Sequence, residues 1–136
     1  MNKVALVIGG SSGIGFELVK KLLKNQYIVY NASRNDCVLN GVNNITYDVF
    51  NDKIINSDFS NDNSIISKIK EKRIDLLVYA SGFSMATPIE IIENADLRYL
   101  FEVNYFGVLK ILKQVIPIFK KNEKGNIVLF SSIASF

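Results

Sequence analysis

An apolar run followed by closely spaced glycines, near the N-terminus, constrains the fold of this chain more than any other feature. Residues 4–8 are continuously apolar and include β-branched types, which is typical of a strand buried on both faces of a sheet. Gly9 lets the chain turn sharply, and Gly13 and Gly15 allow a ligand or a strand to approach closely because they lack a Cβ. Apolar residues at helical spacing over 16–23 predict a helix opening on this loop, whose N–H groups and dipole favour a phosphate.

The rest of the chain is predicted to form further strands and helices. The predicted strands are 27–32, 53–57, 74–79 and 125–132, and the predicted helices are 64–70 and 96–120. Residues 35–52 are rich in Asn and Asp and show no helical periodicity, although a short strand at 45–47 is possible. Pro117 is expected to bend or close the long helix.

Composition narrows the class of protein. The chain has 136 residues and is 49% hydrophobic, which suits one globular domain over residues 1–136. Its single cysteine, Cys37, excludes an internal disulfide, and the absence of histidine excludes His-metal sites and His-based triads. The lysines are scattered and the net charge is only +3, so nucleic-acid binding is not expected. No apolar run has the length of a membrane span and no signal-peptide pattern is seen, so a cytoplasmic location is the expectation.

The spacing Gly-x-x-x-Gly-x-Gly, between a strand and a helix, resembles the loop of the classical short-chain dehydrogenase/reductase family. The matching residues are Gly9, Ser11, Ser12, Gly13, Ile14 and Gly15, while Ile8 stands where the family often has Thr. A glycine-rich turn without a ligand is the alternative, which the complete spacing disfavours. The resemblance covers the whole chain but only the N-terminal part of the family domain. It implies an α/β doubly wound parallel sheet of the three-layer Rossmann type, truncated after the fifth strand.

The end of the second strand bears on the choice of nucleotide. An acid usually stands there to bind the adenosine ribose, whereas this chain has Ser33 followed by Arg34. A guanidinium favours a ribose 2′-phosphate, so NADP(H) is predicted as the cofactor, with Ser11 as a second contact. A solvated loop charge is the alternative for Arg34, and Asp36 keeps NAD(H) open.

The resemblance supplies further cofactor residues. The family has an Asp after its third strand that contacts the adenine amino group, and Asp58, followed by Phe59, is the predicted match. Capping of the next helix is an alternative or additional role for Asp58. The fourth strand ends in Tyr79 and then Ala80, Ser81 and Gly82, where the family has Asn-Asn-Ala-Gly. Another bond must replace the pair of Asn side chains, which steadies the central strands in the family.

Two positions resemble catalytic residues of the family. Asn104 lies in a Val-Asn-x-x-Gly phrase, whose Asn kinks the helix and holds a water of a proton relay in the family. Ser132, beside Ser131, matches the serine that hydrogen-bonds the substrate oxygen. The family's Tyr-x-x-x-Lys is missing, because no tyrosine of this chain has a lysine four residues later. We therefore expect this chain alone to be inactive, since a positioned general acid typically contributes about 10²–10⁴ in rate.

Two functions follow from the resemblance. The first is an NADP(H)-dependent oxidoreductase that transfers hydride between the nicotinamide and a small carbonyl or alcohol substrate, of which this chain is an N-terminal portion. The alternative is a catalytically silent NADP(H)-binding or oligomerising module. The 96–120 helix is apolar on too many sides for a solvent-facing surface, which predicts a homo-oligomer through that helix.

Overall fold

Strands and helices alternate along most of the chain. The computed structural model describes residues 2–51, 53–54 and 64–132. The strands are β1 (Val4–Ile8), β2 (Ile28–Ser33), β3 (Val42–Asp48), β4 (Lys53–Ile54), β5 (Leu76–Tyr79) and β6 (Asn126–Leu129). The helices are α1 (Gly13–Lys24), α2 (Asn94–Phe101) and α3 (Gly107–Lys121), with a 3₁₀ turn at Ile65–Lys68 and a π-helical segment at Glu102–Phe106 that joins α2 to α3.

The strands form a single sheet in the order β4-β3-β2-β1-β5-β6. Every neighbouring pair is parallel except β3 with β4. The central strand β1 pairs with β2 on one side and β5 on the other, so Leu6 lies between Tyr30 and Leu77. The chain therefore winds outward from β1 in both directions, which confirms the predicted doubly wound α/β fold with β6 as its fifth parallel strand.

The two faces of the sheet are covered by different helices. Leu6 belongs to a buried cluster that includes Ile111 and Val115 of α3. The next residue, Val7, belongs to a second cluster that includes Val19 of α1. Because successive strand residues point to opposite faces, β1 is buried on both sides between two helical layers. This arrangement holds the glycine loop, which follows β1, at the centre of the sheet's carboxyl edge.

The third parallel strand differs from the sequence prediction. β3 pairs with β2 from Val29 opposite Val42 to Ser33 opposite Thr46. The prediction that residues 53–57 form the third strand was wrong, since 53–54 form the short antiparallel β4 and 55–57 lie outside the described residues. The possible strand at 45–47 lies within the C-terminal half of β3, in which Ile45 and Tyr47 are buried and their neighbours are less so.

The predicted helices also need correction. Only the four residues Ile65–Lys68 of the predicted 64–70 helix are helical, in a 3₁₀ turn. The predicted 96–120 helix corresponds to the continuous stretch of α2, the π segment and α3. Pro117 does not close this stretch, because it lies inside α3, which continues to Lys121. No helix in the described ranges is both long enough and apolar enough to cross a bilayer.

Apolar side chains are exposed along β6 and along one side of the helical stretch. Ile127, Val128 and Leu129 of the edge strand β6 are 39–50% exposed. Phe101 and Tyr105 are 51% and 56% exposed. The homo-oligomer through the 96–120 helix stays a prediction.

Candidate functional site

The glycine loop between β1 and α1 is shaped by contacts that a side chain would prevent. Gly9 has a φ of +86°, and a Cβ at this position would lie 2.6 Å from the hydroxyl oxygen of Ser81. A Cβ on Gly15 would collide with the Gly9 carbonyl oxygen, so α1 packs directly on the loop. Gly13 has a φ of +54°, and a Cβ there would meet no described atom within 4 Å. The loop is therefore closed towards the sheet and open at Gly13.

The first turn of α1 faces this open side. Ser12 is the N-cap residue, and in the described structure its side chain makes no capping hydrogen bond. The first turn contains no acidic residue. The N–H groups at a helix start lack intrahelical partners, and the helix dipole makes that end positive. These groups fit a phosphate, because an anion would satisfy both the free donors and the dipole.

A cleft of about 320 Å³ lies at the carboxyl edge of the sheet, beside this turn. The predicted cofactor residues that line it are Gly9, Ser11, Ser12, Gly13, Ile14, Ser33, Arg34, Ala80, Ser81 and Gly82. Gly15 does not line the described cleft, but it lies beneath the loop and allows α1 to pack against it. The remaining lining comes from positions to which the sequence analysis gave no such role: Asn35, Tyr47, Asp48, Val49, Phe83, Tyr99 and Val103.

A buried amide ties the loop to the strands beside it. The Asn31 side chain is fully buried, and its Oδ1 accepts a hydrogen bond from the Gly10 N–H at 2.8 Å. Its Nδ2 donates to Asn44 Oδ1 at 2.9 Å, and the Ser33 hydroxyl lies 2.9 Å from Asn31 Oδ1. Asn31 therefore links the loop to β2 and β3. A polar residue inside an otherwise apolar strand is the sequence signal that would have identified it.

Two charged residues follow β2, and only one lines the cleft. Arg34 is an exposed lining residue, and its Nη1 lies 3.5 Å from the hydroxyl oxygen of Tyr99. Asp36 is exposed and is not among the cleft-lining residues of the described chain. The charge presented at this end of the cleft by the β2 loop is therefore positive.

The acid that ends the third parallel strand is Asp48. It lines the cleft, and its carboxylate accepts hydrogen bonds from the Phe50 N–H at 3.0 Å and from Asn51 Nδ2 at 2.6 Å. Asp58 and Phe59, which were predicted for this position, lie outside the described residues. The alternation of apolar Ile45 and Tyr47 with polar neighbours was the signal for a strand ending at Asp48.

Tyr79 supplies a bond where the family has the first asparagine of its Asn pair. Its hydroxyl donates to the Val103 carbonyl oxygen at 2.6 Å, inside the π segment. Burial raises the pKa of the Tyr79 phenol well above its ordinary value, so the group remains a donor. Strand β5 is thereby tied to the helical stretch beside the cleft.

Tyr79→Phe is expected to lower the free energy of unfolding by about 1–2 kcal/mol, because the buried hydrogen bond from Tyr79 to the Val103 carbonyl would be lost. Urea denaturation followed by circular dichroism measures this change. Tyr105→Phe is the matched control, because Tyr105 is 56% exposed and its stability effect should be within about 0.5 kcal/mol. Equal effects of the two substitutions would contradict the assigned hydrogen bond.

Asn104 also lies in the π segment, but it bonds to the loop after β5. Its Nδ2 donates to the Phe83 carbonyl at 2.6 Å, and its Oδ1 accepts from the Phe83 N–H at 2.9 Å. Asn104 thereby fixes the backbone of a cleft-lining residue. The predicted Ser132 is exposed and comes three residues after β6, near the same carboxyl edge, but it is not among the described residues that line the cleft.

Comparison with known proteins supports what the fold and the loop indicate. The family model described as short chain dehydrogenase matches residues 3–136. The chain belongs to the short-chain dehydrogenase family. The glycine loop, the parallel strand order and the cleft at the carboxyl edge are therefore features of a short-chain dehydrogenase.

Individual members of the family differ in the nucleotide that their names record. An NADPH-dependent 1-acyldihydroxyacetone phosphate reductase from Saccharomyces cerevisiae is 30% identical over 141 residues, covering 97% of this chain and 46% of the yeast protein. The structure of ElxO with bound NADP is 27% identical with a TM-score of 0.82, covering 98% of this chain and 56% of that one. A short-chain dehydrogenase from Leptospira borgpetersenii with bound NAD⁺ is 27% identical with a TM-score of 0.81, covering 98% of this chain and 52% of that one. The chain spans about half the length of the short-chain dehydrogenases that it matches.

Proposed function

We propose that this chain forms the nucleotide-binding part of an NADP(H)-dependent oxidoreductase that acts on a carbonyl or alcohol substrate. The observation that carries the proposal is the position of Arg34 in the same cleft as the glycine loop. The cleft offers uncapped helix N–H groups for a pyrophosphate and a guanidinium for a ribose 2′-phosphate. The preference for NADP(H) over NAD(H) rests on Arg34, since Asp36 does not line the described cleft.

The relatives are compatible with this cofactor. The yeast relative is named for its use of NADPH, and ElxO is described with NADP bound. The Leptospira relative is described with NAD⁺, so family membership alone does not select the nucleotide. The choice for this chain therefore depends on its own residues at the end of β2.

Each part of the site would have a separate task. When bound, the nicotinamide cofactor supplies or accepts the hydride. The first turn of α1 would hold the pyrophosphate, and the open space at Gly13 leaves room for it. Asp48 would bind the adenine end as a hydrogen-bond acceptor. Ser132 would donate a hydrogen bond to the substrate oxygen, and Asn104 would keep the Phe83 loop in position.

The proposal is tested by calorimetric titration of the protein with NADPH and with NADH. We expect NADPH to bind more tightly, and Arg34→Ala to weaken NADPH binding by about tenfold while changing NADH binding by less than about twofold. Arg98→Ala is the matched control, because Arg98 is an exposed arginine of α2 that does not line the described cleft. It should leave both affinities unchanged.

Equal losses for the two nucleotides in Arg34→Ala would contradict the 2′-phosphate assignment. No binding of either nucleotide would contradict the proposed function as a whole.

A further inference from the structure

Tyr99 lies across the cleft from Arg34. Arg34 follows β2, whereas Tyr99 belongs to α2, and both line the cleft. The Arg34 Nη1 donates to the Tyr99 hydroxyl oxygen at 3.5 Å. Within residues 2–51, 53–54 and 64–132, no carboxylate forms an ion pair with Arg34. The guanidinium therefore faces a neutral partner in the cleft, which leaves its charge available to an anion.

The Tyr99 ring is fixed by two other aromatic rings. Its centroid lies 4.9 Å from that of Phe50 and 4.8 Å from that of Phe83, the latter in an edge-to-face contact. Phe83 is itself held by the two hydrogen bonds between its backbone and Asn104. Aromatic pairs at these distances stabilise a defined ring orientation. The position of the Tyr99 hydroxyl is thus set by contacts from both sides.

We propose that Tyr99 determines nucleotide specificity together with Arg34, its hydroxyl donating a hydrogen bond to the ribose 2′-phosphate. A phenolic oxygen that accepts from Arg34 still has its own hydrogen to donate, and no other described residue accepts it. A phosphate placed beside this contact would accept a hydrogen bond from each of the two side chains. This inference rests on the proposed NADP(H) function, because it concerns the group that distinguishes NADP(H) from NAD(H).

The test uses two probes that lack nicotinamide and differ in a single phosphate, 2′,5′-ADP and 5′-AMP. Their affinities are measured by calorimetry for the wild-type protein and for Tyr99→Phe, which keeps the ring and its contacts with Phe50 and Phe83. We expect Tyr99→Phe to weaken 2′,5′-ADP by about five- to tenfold and 5′-AMP by less than about twofold. Tyr105→Phe removes an exposed hydroxyl elsewhere on the same helical stretch and should change neither affinity.

The outcomes distinguish a failure of the Tyr99 proposal from a failure of the NADP(H) proposal. If the wild-type protein prefers 2′,5′-ADP and loses that preference in Arg34→Ala, but Tyr99→Phe has wild-type affinities, the Tyr99 proposal is overturned and the NADP(H) assignment stands. Equal weakening of both probes by Tyr99→Phe would mean that the hydroxyl only supports the fold, which also overturns the proposal. If the wild-type protein does not distinguish the two probes, the 2′-phosphate site is refuted for Arg34 and Tyr99 together.

Discussion

Gly15→Ala is expected to lower the free energy of unfolding by about 3 kcal/mol or more. In an exposed helix this change would stabilise the protein by about 1 kcal/mol, because alanine has the higher helix propensity. At position 15 the added Cβ collides with the carbonyl oxygen of Gly9. That atom belongs to the backbone and cannot rotate away, so α1 must separate from the loop. The predicted effect is therefore opposite in sign to the helix-propensity effect.

Guanidinium denaturation of the wild-type protein and the variant measures this loss. Gly82→Ala is the matched control, because its Cβ would lie 3.6 Å from Asn104 Oδ1, an ordinary contact distance. Its stability should stay within about 1 kcal/mol of wild type. A Gly15→Ala protein as stable as the control would show that the loop and α1 are not packed as described.

Asp75→Ala is expected to lower the free energy of unfolding by about 2–3 kcal/mol. Asp75 is 7% exposed, and its Oδ2 accepts from the Val4 N–H at 2.9 Å at the start of β1. Its carboxylate also lies 3.3 Å from Arg73 Nε and 3.5 Å from Lys124 Nζ. Alanine would leave the buried N–H without its acceptor and both cations without this carboxylate.

Two further variants divide this effect into its parts. Asp75→Asn keeps an oxygen acceptor for Val4 but removes the charge, so its loss should be about half that of Asp75→Ala. Glu17→Ala removes an exposed ion pair with Lys20 at 3.9 Å and should cost less than about 0.5 kcal/mol. Denaturation in urea provides all three values. A loss for Asp75→Ala no greater than that for Glu17→Ala would contradict the importance of the buried carboxylate.

The glycine loop could be predicted because its requirements are local. An apolar run, a turn without side chains and a helical pattern follow one another directly in residues 4–23. The steric demand at Gly15 involves the Gly9 carbonyl, which the sequence spacing already brings close, whereas the contact of Gly9 with Ser81 depends on tertiary structure. The position of Arg34 at the carboxyl edge could be inferred for the same reason, since it directly follows β2. Its role towards a 2′-phosphate stays a proposal.

Strand β3 was predicted only in part, as a possible strand at 45–47, because its sequence carries opposing signals. Asn43, Asn44 and Asp48 favour turns, while only Ile45 and Tyr47 point into the core. The strand is stabilised by its parallel pairing with β2, which depends on tertiary structure. Asp48 was therefore not recognised as a strand-end acid.

The contact between Arg34 and Tyr99 joins residues that are 65 positions apart in sequence. No periodicity or spacing relates them, and the sequence pattern of the apolar helix gives Tyr99 no separate role. The π segment was anticipated only as a helix kink at Asn104, because its hydrogen bond with Tyr79 comes from strand β5. Sequence reasoning thus located the cleft but not the residues that the helical stretch contributes to it.

The π segment determines which residues of the helical stretch face the cleft and the sheet. The residues that face the cleft or the sheet recur every fourth position, at Tyr99, Val103, Gly107, Ile111 and Val115. In an α-helix each step of four residues overshoots a full turn by about 40°, so such a row would wind away from the sheet. The wider turn at Glu102–Phe106 absorbs part of this overshoot. The number of residues in this segment is therefore constrained. Losing one residue would rotate Tyr99 away from Arg34 while Ile111 stayed in the core.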